Sequence, residues 1–202
     1  MNLTLNYNQN DKSLIENFYK EIFQEKEYDR FGVNINKNDV VLDLGANIGI
    51  FCKYALEMGA SKVISYECDD NNYQYLTQNI NDRRAELYLG YIGHNLITIS
   101  DIIEKHNLDK INFIKLDIEG YEWDLLKNIN PSIFEIVDKW AIEFHTWHNN
   151  PNSSGETKFN TIWQLLEIME VFCKNGYKIY FEHIHKGWDI VMLYAKKDII
   201  TN

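Results

Sequence analysis

The chain of 202 residues lacks any apolar run approaching the roughly 20 residues that a membrane-spanning helix needs. Its first ten residues, MNLTLNYNQN, are too polar for the hydrophobic segment of a secretory signal peptide. These two features predict a protein that neither spans a membrane nor carries such a leader.

Positive charge is scarce, because 20 Lys and Arg residues face 30 Asp and Glu residues and leave a formal net charge of −10 at pH 7. No run of Lys and Arg supplies the basic face that neutralises phosphates in nucleic-acid complexes. An anionic membrane surface would also repel such a chain. We therefore expect neither a nucleic-acid partner nor binding to a membrane.

Cysteine is scarce as well. The three residues Cys52, Cys68 and Cys173 are odd in number, are widely spaced and form no C-x-x-C motif. This pattern indicates neither a disulfide framework nor a zinc site. It favours a reducing, cytoplasmic compartment.

The sequence does contain a regular alternation of strand-like and helix-like segments. Apolar runs typical of strands occur at Asp39–Leu44, Lys62–Tyr66, Glu86–Tyr91, Ile111–Leu116, Val137–Phe144, Tyr177–His183 and Asp189–Ala195. Helical spacing of apolar residues occurs at Lys12–Lys26, Ile48–Met58, Asn71–Ile80, Ser100–His106, Tyr121–Asn128 and Phe159–Lys174. Such alternation indicates βαβ crossovers and a parallel sheet that helices cover on both faces.

The last two runs are too close together for a crossover helix, so they should pair antiparallel. We predict an α/β fold with a doubly wound, mostly parallel seven-stranded sheet and an antiparallel final hairpin. The chain length fits a single domain over residues 1–202. An N-terminal helical segment at about residues 12–30 precedes the first strand.

The stretch VVLDLGANIGIF, residues 40–51, marks a candidate binding site. A buried strand there runs through Asp43 into a loop with Gly45, Asn47 and Gly49 at alternate positions. Glycines suit a tight strand-to-helix turn, whereas a carboxylate near the strand end does not follow from the turn alone. Ligands of doubly wound sheets bind beyond the carboxyl ends of the strands, which is where this loop should lie.

The second strand reaches Glu67, about twenty residues further on, where an acid can bind two ribose hydroxyls. A dinucleotide and S-adenosylmethionine both carry such a ribose. The dinucleotide motif G-x-G-x-x-G is not met, because Asn47 and Ile50 stand at its second and third glycine positions. Carboxylates near the strand ends, among them Asp117 and Glu119, would repel a pyrophosphate but attract a sulfonium and an ammonium group. These features favour S-adenosylmethionine.

The segments VVLDLGANIGIF, VISYECDD, ITISDIIEKHNLDKINFIKLDIEGYEWDLLKN and WAIEFH resemble, in order and spacing, the FkbM family of S-adenosylmethionine-dependent methyltransferases. The resemblance runs from about Tyr28 to Phe144 and implies a class I methyltransferase fold. It also implies, in most cases, O-methylation of a sugar or another small hydroxylated metabolite. Family members commonly carry a longer insertion between the segments LYLGYIG and ITISD, and here that insertion is nearly absent.

The resemblance also implies roles for individual residues. Glu67 would bind the ribose, with Cys68 near the adenine, and Asp117 would belong to the block that follows the fourth strand together with Glu119 and Gly120. The residues implied at the methionine end of the cofactor are Asp43, Gly45, Ala46, Asn47 and Gly49.

Two devices for removing the proton of an acceptor hydroxyl remain open. The first is a general base, for which His145 and Asp117 are the candidates, because an unperturbed histidine has a pKa near 6.5. The second is a divalent cation held by Asp117, Glu119 and Glu143. We favour the base, since no dedicated oxygen cage is recognisable.

A cofactor-binding module without catalysis stays open as an alternative function. A nicotinamide-dependent oxidoreductase is less favoured because of the glycine spacing. The expected partner is a small-molecule acceptor, and nothing in the sequence indicates an oligomeric state.

Overall fold

The computed structural model describes residues 5–145, 155–183 and 190–198. Its strands are β1 Val40–Leu44, β2 Lys62–Glu67, β3 Ala85–Leu89, β4 Phe113–Leu116, β5 Lys139–His145, β6 Tyr177–His183 and β7 Ile190–Lys197. Its helices are α1 Lys12–Tyr19, α2 Ile50–Glu57, α3 Asp70–Asn79, α4 Ile99–His106, α5 Glu122–Lys127, α6 Ile133–Ile136 and α7 Gly155–Lys174. The short α6 carries no periodic pattern of its own and was not expected. Asp189, the expected start of the last strand, lies outside the described residues.

The seven strands form one sheet in the order β3-β2-β1-β4-β5-β7-β6. The first five strands in that order, from β3 to β5, pair in parallel with their neighbours. Strand β7 pairs antiparallel with both β5 and β6. The predicted fold class, a mostly parallel sheet with an antiparallel final hairpin, is therefore confirmed.

The core lies on both faces of the sheet, because the central strands alternate their side chains between two apolar layers. Leu42 pairs with Ile64 and Ile114, and all three contribute to one layer. The neighbouring residues Val41 and Phe113 contribute to the other layer. Both faces are thus buried, as expected for parallel strands with crossover helices. No helix among the described residues combines the length and hydropathy that a bilayer crossing requires.

The N-terminal segment is helical in two parts. Helix α1 ends at Tyr19, and a π-helical turn, Lys20–Gln24, continues it where an uninterrupted helix was expected. Ile15 is buried in an apolar cluster with Ile48 and Ile50, at the beginning of α2. This contact places α1 beside the loop that follows β1, and hence beside the carboxyl ends of the strands.

Gly45 in that loop is required by two constraints. Its φ angle is +85°, a left-handed conformation that a side chain disfavours. A Cβ atom there would also lie 1.7 Å from the backbone carbonyl oxygen of Asp117. The loops that follow β1 and β4 therefore touch backbone to backbone. The positive φ angle agrees with the tight turn that the sequence predicted, and the protein's own packing requires the glycine in addition.

We expect Gly45→Ala to destabilise the fold much more than Gly176→Ala. Gly176 has a similar φ of +79° but no atom within 4 Å of the added Cβ, so it isolates the cost of the backbone conformation. That cost is about 1 kcal/mol, and the clash at Gly45 should add roughly 1–3 kcal/mol or more. Chemical denaturation of the two variants gives the comparison. Equal losses of unfolding free energy would contradict the packing role of Gly45.

Candidate active site at the carboxyl ends of the strands

Two adjoining cavities open where the carboxyl ends of β1, β2 and β4 meet. The larger has a volume of about 270 Å³ and the smaller about 170 Å³. Both are lined by Gly45, Asn47, Asp117 and Glu119, so they meet at the loops after β1 and β4. This is the place where a doubly wound sheet binds its ligand.

Glu67 lies at the edge of the smaller cavity and fixes the shape of its rim. Its side chain is buried and accepts hydrogen bonds from the backbone N–H groups of Asn47, at 2.7 Å, and Asp69, at 2.8 Å. Each carboxylate oxygen keeps further lone pairs for a ligand. The exposed Cys68 lines the same cavity, together with Tyr91. The structure thus brings Glu67 and Cys68 together with the loop after β1.

Of the other residues expected at this site near the end of β1, two line a cavity and two do not. Ala46 and Asn47 line the larger cavity, and Asn47 adopts a left-handed φ of +50°. Gly49 lines neither cavity and instead precedes α2, with a φ of +94°. Asp43 also lines neither cavity, since its side chain is fully inaccessible. Direct contact of Asp43 or Gly49 with a ligand is therefore not favoured.

Asp43 acts on the site through the buried ammonium group of Lys115. Lys115 Nζ lies 3.6 Å from Asp43 Oδ1, 3.2 Å from Asp117 Oδ2 and 2.6 Å from the carbonyl oxygen of Gly45. Burial lowers the pKa of Lys115, but the carboxylates of Asp117 and Asp43 outweigh it and raise that pKa above its ordinary value. Lys115 is therefore a permanent positive charge beneath the cavities.

The phenol of Tyr28 bridges two carboxylates of the larger cavity. Its hydroxyl lies 2.7 Å from Glu143 Oε2 and 3.1 Å from Asp117 Oδ2. One phenolic proton cannot serve two ionised carboxylates fully. Burial, and after it the charge of Asp117, raise the pKa of Glu143 to about 8, which favours a shared proton among these three oxygens.

His145 lies behind these carboxylates at the end of β5. Its ring is almost fully buried, with Nδ1 at 3.2 Å from Oε1 of the fully buried Glu122. On the other side, Nε2 faces Glu119 Oε2 at 3.5 Å and Glu143 Oε1 at 3.6 Å. Burial lowers the pKa of His145, but the hydrogen bond to Glu122 and the neighbouring carboxylates outweigh it and raise the pKa to about 9.

This environment changes the role that the sequence suggested for His145. A general base at neutral pH needs a neutral imidazole, whereas His145 with a pKa of about 9 is an imidazolium there. The residue also does not line either cavity. The pKa near 6.5 that made His145 an attractive base does not describe it in this setting.

Asp117 keeps its place at the cavity and does not cap the following helix. Helix α5 begins after Tyr121, and no side-chain hydrogen bond caps it. Glu122 in its first turn instead accepts backbone hydrogen bonds from Ile118 and Gly120 and holds His145. Glu122 therefore has a structural role, since it holds both this turn and the ring of His145.

Tyr28 and Lys115 are central to this geometry and were not singled out as site residues. Lys115 does leave a signal, because it is a charged residue within the otherwise apolar strand FIKL. Tyr28 leaves none, because its partners lie 89 and 115 positions away in the sequence. The apolar wall of the larger cavity was missed for the same reason. It is formed by Leu14, Phe18, Ile22, Phe51 and Ile190.

The donor atoms of Asp117, Glu143 and His145 lie within 4.8 Å of one another. A carboxylate pair with one imidazole is a donor set that binds divalent cations in proteins. These three side chains are therefore the residues of the described part of the chain that could hold a metal ion at this site.

Comparison with known proteins agrees with this geometry. Residues 83–179 match the model of the methyltransferase FkbM domain. No curated protein sequence matches the chain. A solved FkbM methyltransferase from Methylobacillus flagellatus is similar to the chain with 24% sequence identity and a TM-score of 0.56, over 87% of this chain and 47% of that one.

Two further solved structures show how widely the fold is shared. An S-adenosylmethionine-dependent methyltransferase from Mesorhizobium loti has 12% identity and a TM-score of 0.56, over 80% of this chain and 92% of that one. A protein from Pyrococcus horikoshii assigned as an RNA methyltransferase has 17% identity and a TM-score of 0.52, over 91% and 84%. The chain has the fold of S-adenosylmethionine-dependent methyltransferases, and the domain match confirms its resemblance to the FkbM group.

We expect the imidazole of His145 to titrate with a pKa of about 9 in protein kept in chelator. The charge of Glu122 is a main cause of this elevation, so Glu122→Gln should bring the pKa down toward 6.5. NMR titration of labelled histidine measures both values. Because the folded-state pKa lies above the unfolded one, the stabilisation is present below pH 6.5 and is lost as the pH rises through about 9.

His106 provides an internal control in the same spectra. Burial lowers the pKa of His106 below its ordinary value, although Glu86 partly opposes this effect. Glu122→Gln should leave the titration of His106 unchanged. A His145 pKa at or below 6.5 in the unmodified protein would contradict the arrangement described for Glu122 and the cavity carboxylates.

Proposed function

We propose that this protein transfers the methyl group of S-adenosylmethionine to an oxygen atom of a small hydroxylated acceptor, such as a sugar or another metabolite. The observation that carries the proposal is the pair of adjoining cavities. One contains the acid that suits a ribose, and the other contains carboxylates beneath an apolar wall. The shared residues Gly45, Asn47, Asp117 and Glu119 lie where a cofactor and an acceptor would have to meet.

The residues present fit S-adenosylmethionine better than a dinucleotide. Glu67 keeps lone pairs for two ribose hydroxyls after accepting its two backbone hydrogen bonds. Asn47 stands where a dinucleotide loop needs a bare glycine backbone against the pyrophosphate. The acidic groups of the larger cavity, including Glu27 and Asp117, favour a cationic ligand over a diphosphate.

The larger cavity supports an acceptor of limited size. Its volume of about 270 Å³ suits a sugar-sized molecule, and its apolar wall can pack against one face of a ring. Asp117 and Glu143 line the opposite side, where their oxygens can accept hydrogen bonds from hydroxyl groups. The net charge of −10 disfavours a nucleic-acid acceptor in addition.

Bound S-adenosylmethionine supplies a methyl carbon that its sulfonium already activates. In the transfer, the acceptor oxygen would form a bond to this carbon as the carbon–sulfur bond breaks, and the electron pair of that bond would stay on sulfur as a neutral thioether. The cavity carboxylates would receive the hydroxyl proton. The main task of the protein is to align the acceptor oxygen with the methyl carbon and to receive this proton.

Calorimetry should show micromolar binding of S-adenosylhomocysteine and no binding of NADH. Glu67→Ala should weaken S-adenosylhomocysteine binding about tenfold to a hundredfold, because charge-assisted hydrogen bonds are worth about 1.5–3 kcal/mol. Glu86→Ala is the matched control, since Glu86 lies on the neighbouring strand β3 and pairs with Lys62 and His106. It should bind the ligand like the unmodified protein.

The outcomes of this experiment separate the candidate functions. Unchanged affinity in a folded Glu67→Ala variant would remove Glu67 from the binding site. Binding of NADH in preference to S-adenosylhomocysteine would favour the oxidoreductase instead. Thermal unfolding of each variant shows whether the two backbone hydrogen bonds of Glu67 also matter for folding.

Turnover distinguishes an enzyme from a binding module. S-adenosylmethionine with a deuterated methyl group is incubated with the protein and a cell extract separated into small-molecule and macromolecular fractions. We expect label to enter the small-molecule fraction with release of S-adenosylhomocysteine. Cofactor binding without label transfer to either fraction would support the non-catalytic module. Label in the RNA of the macromolecular fraction would contradict the small acceptor.

A further inference from the structure

We propose that Asp117, Glu143 and His145 form a binding site for a divalent transition-metal cation, with Mn²⁺ as the preferred ion, on the acceptor side of the cavity. The existence of this site depends only on the geometry of the three side chains. Its role in activating the acceptor hydroxyl rests on the proposed function.

The first argument is that each side chain turns one defined atom toward a common point. Asp117 Oδ2 is occupied by Lys115 and Tyr28, which leaves Oδ1 facing His145 Nε2 at 4.0 Å. Glu143 Oε2 is occupied by Tyr28, which leaves Oε1 facing the same nitrogen at 3.6 Å. The atoms directed inward are thus two carboxylate oxygens and one ring nitrogen.

The second argument is that the outward-facing atoms are held in place. Tyr28 bonds the outer oxygens of both carboxylates, and Glu122 bonds the far nitrogen of His145. Glu122 is itself fixed by backbone N–H groups of Ile118 and Gly120. A carboxylate behind a histidine ligand orients its ring and strengthens it as a donor in many metal sites.

The third argument is the spacing. His145 Nε2 lies 3.6 Å from Glu143 Oε1 and 4.0 Å from Asp117 Oδ1, and Glu119 Oε2 lies 3.5 Å from the same nitrogen. Ligands about 2.1 Å from a cation lie about 3.0 Å apart when adjacent and about 4.2 Å apart when opposite. The two separations from Nε2 fall within this interval, and the three donor atoms lie within 4.8 Å of one another, so small side-chain movements would bring them to coordination distance.

The fourth argument is charge. Asp43, Asp117, Glu119, Glu122 and Glu143 bring five carboxyl groups to this region, and the ammonium of Lys115 and the imidazole of His145 lie among them. An additional cation between Asp117 and Glu143 would compensate the remaining carboxylates. The competing arrangement is a protonated His145 that takes this role alone.

The donor set indicates the kind of metal. Carboxylate oxygens suit Mg²⁺ and Mn²⁺, whereas imidazole suits first-row transition metals. A set of two oxygens and one imidazole nitrogen therefore favours Mn²⁺ over Mg²⁺. Asp117 and Glu143 both line the larger cavity, so a cation between them would reach the acceptor oxygen and acidify its hydroxyl. The proton would then leave to the exposed Glu119 at the same cavity.

The test is titration of chelator-treated protein with MnCl₂, without any cofactor, followed by the loss of the EPR signal of free Mn²⁺ and by calorimetry. We expect one site per chain. Asp117→Asn and His145→Gln should each weaken Mn²⁺ binding at least about tenfold. Glu122→Gln should weaken it about tenfold to a hundredfold, although Glu122 does not touch the metal, as outer-shell partners of metal ligands do.

The matched controls come from a second histidine–carboxylate pair. His106 Nδ1 lies 2.9 Å from Oε2 of Glu86, which is on the edge strand β3 and also pairs with Lys62. His106→Gln and Glu86→Gln should leave Mn²⁺ binding unchanged. Circular dichroism of every variant establishes that the fold is retained, and Asp117→Asn preserves side-chain volume where a larger change would disturb Tyr28 and Lys115.

The results distinguish this site from the methyltransferase proposal. Stoichiometric Mn²⁺ binding that the three ligand-side variants weaken and the two controls do not would support the site, whether or not S-adenosylhomocysteine binds. Failure of the folded, unmodified protein to bind Mn²⁺ would overturn it, even if S-adenosylhomocysteine binds in chelator. Tighter binding of Mg²⁺ than of Mn²⁺ would overturn the choice of metal.

Discussion

The buried ammonium of Lys115 is the interaction on which the site depends. It joins the loop after β1, through the carbonyl of Gly45, to the end of β4, through Asp117. The carboxyl group of Asp43 lies 3.6 Å from that ammonium and balances its charge. Burial raises the pKa of Asp43 to about 6, although Lys115 acts to lower it. An unpaired charge of this kind would be costly in the interior. The two loops therefore form one unit, and their backbones are in direct contact at Gly45.

A second unit is built around Tyr28, which reaches the site from the N-terminal segment. Its ring packs edge-on against Phe51 at the start of α2, while its hydroxyl bridges Asp117 and Glu143. Removing this phenol would leave Asp117 and Glu143 without the hydroxyl that bridges them. The segment before β1 is thus part of the site, although it precedes the first strand of the sheet.

Periodicity and local spacing explain what the sequence could predict. Apolar runs defined the seven strands to within a few residues, and the glycine-rich loop with Glu67 predicted the edge of the sheet at which the two cavities open. The protonation of His145 could not be predicted, because it depends on Glu122, 23 positions away, meeting the ring in a buried setting. The bridge of Tyr28 and the buried charge of Lys115 are likewise tertiary contacts. Residue type marks a candidate, but its environment decides its charge.

The short connection after β3 contributes residues to the smaller cavity and none to the larger one. Between Leu89 and the start of α4 at Ile99 the chain forms only a turn with an isolated bridge between Ile92 and Ile97, in place of the longer insertion common in the FkbM group. That turn borders the smaller cavity. The wall of the larger cavity comes instead from α1 and the π-helical turn after it, through side chains such as Phe18 and Ile22. Under the proposed function, an acceptor in the larger cavity would therefore contact the apolar side chains of the N-terminal helical segment.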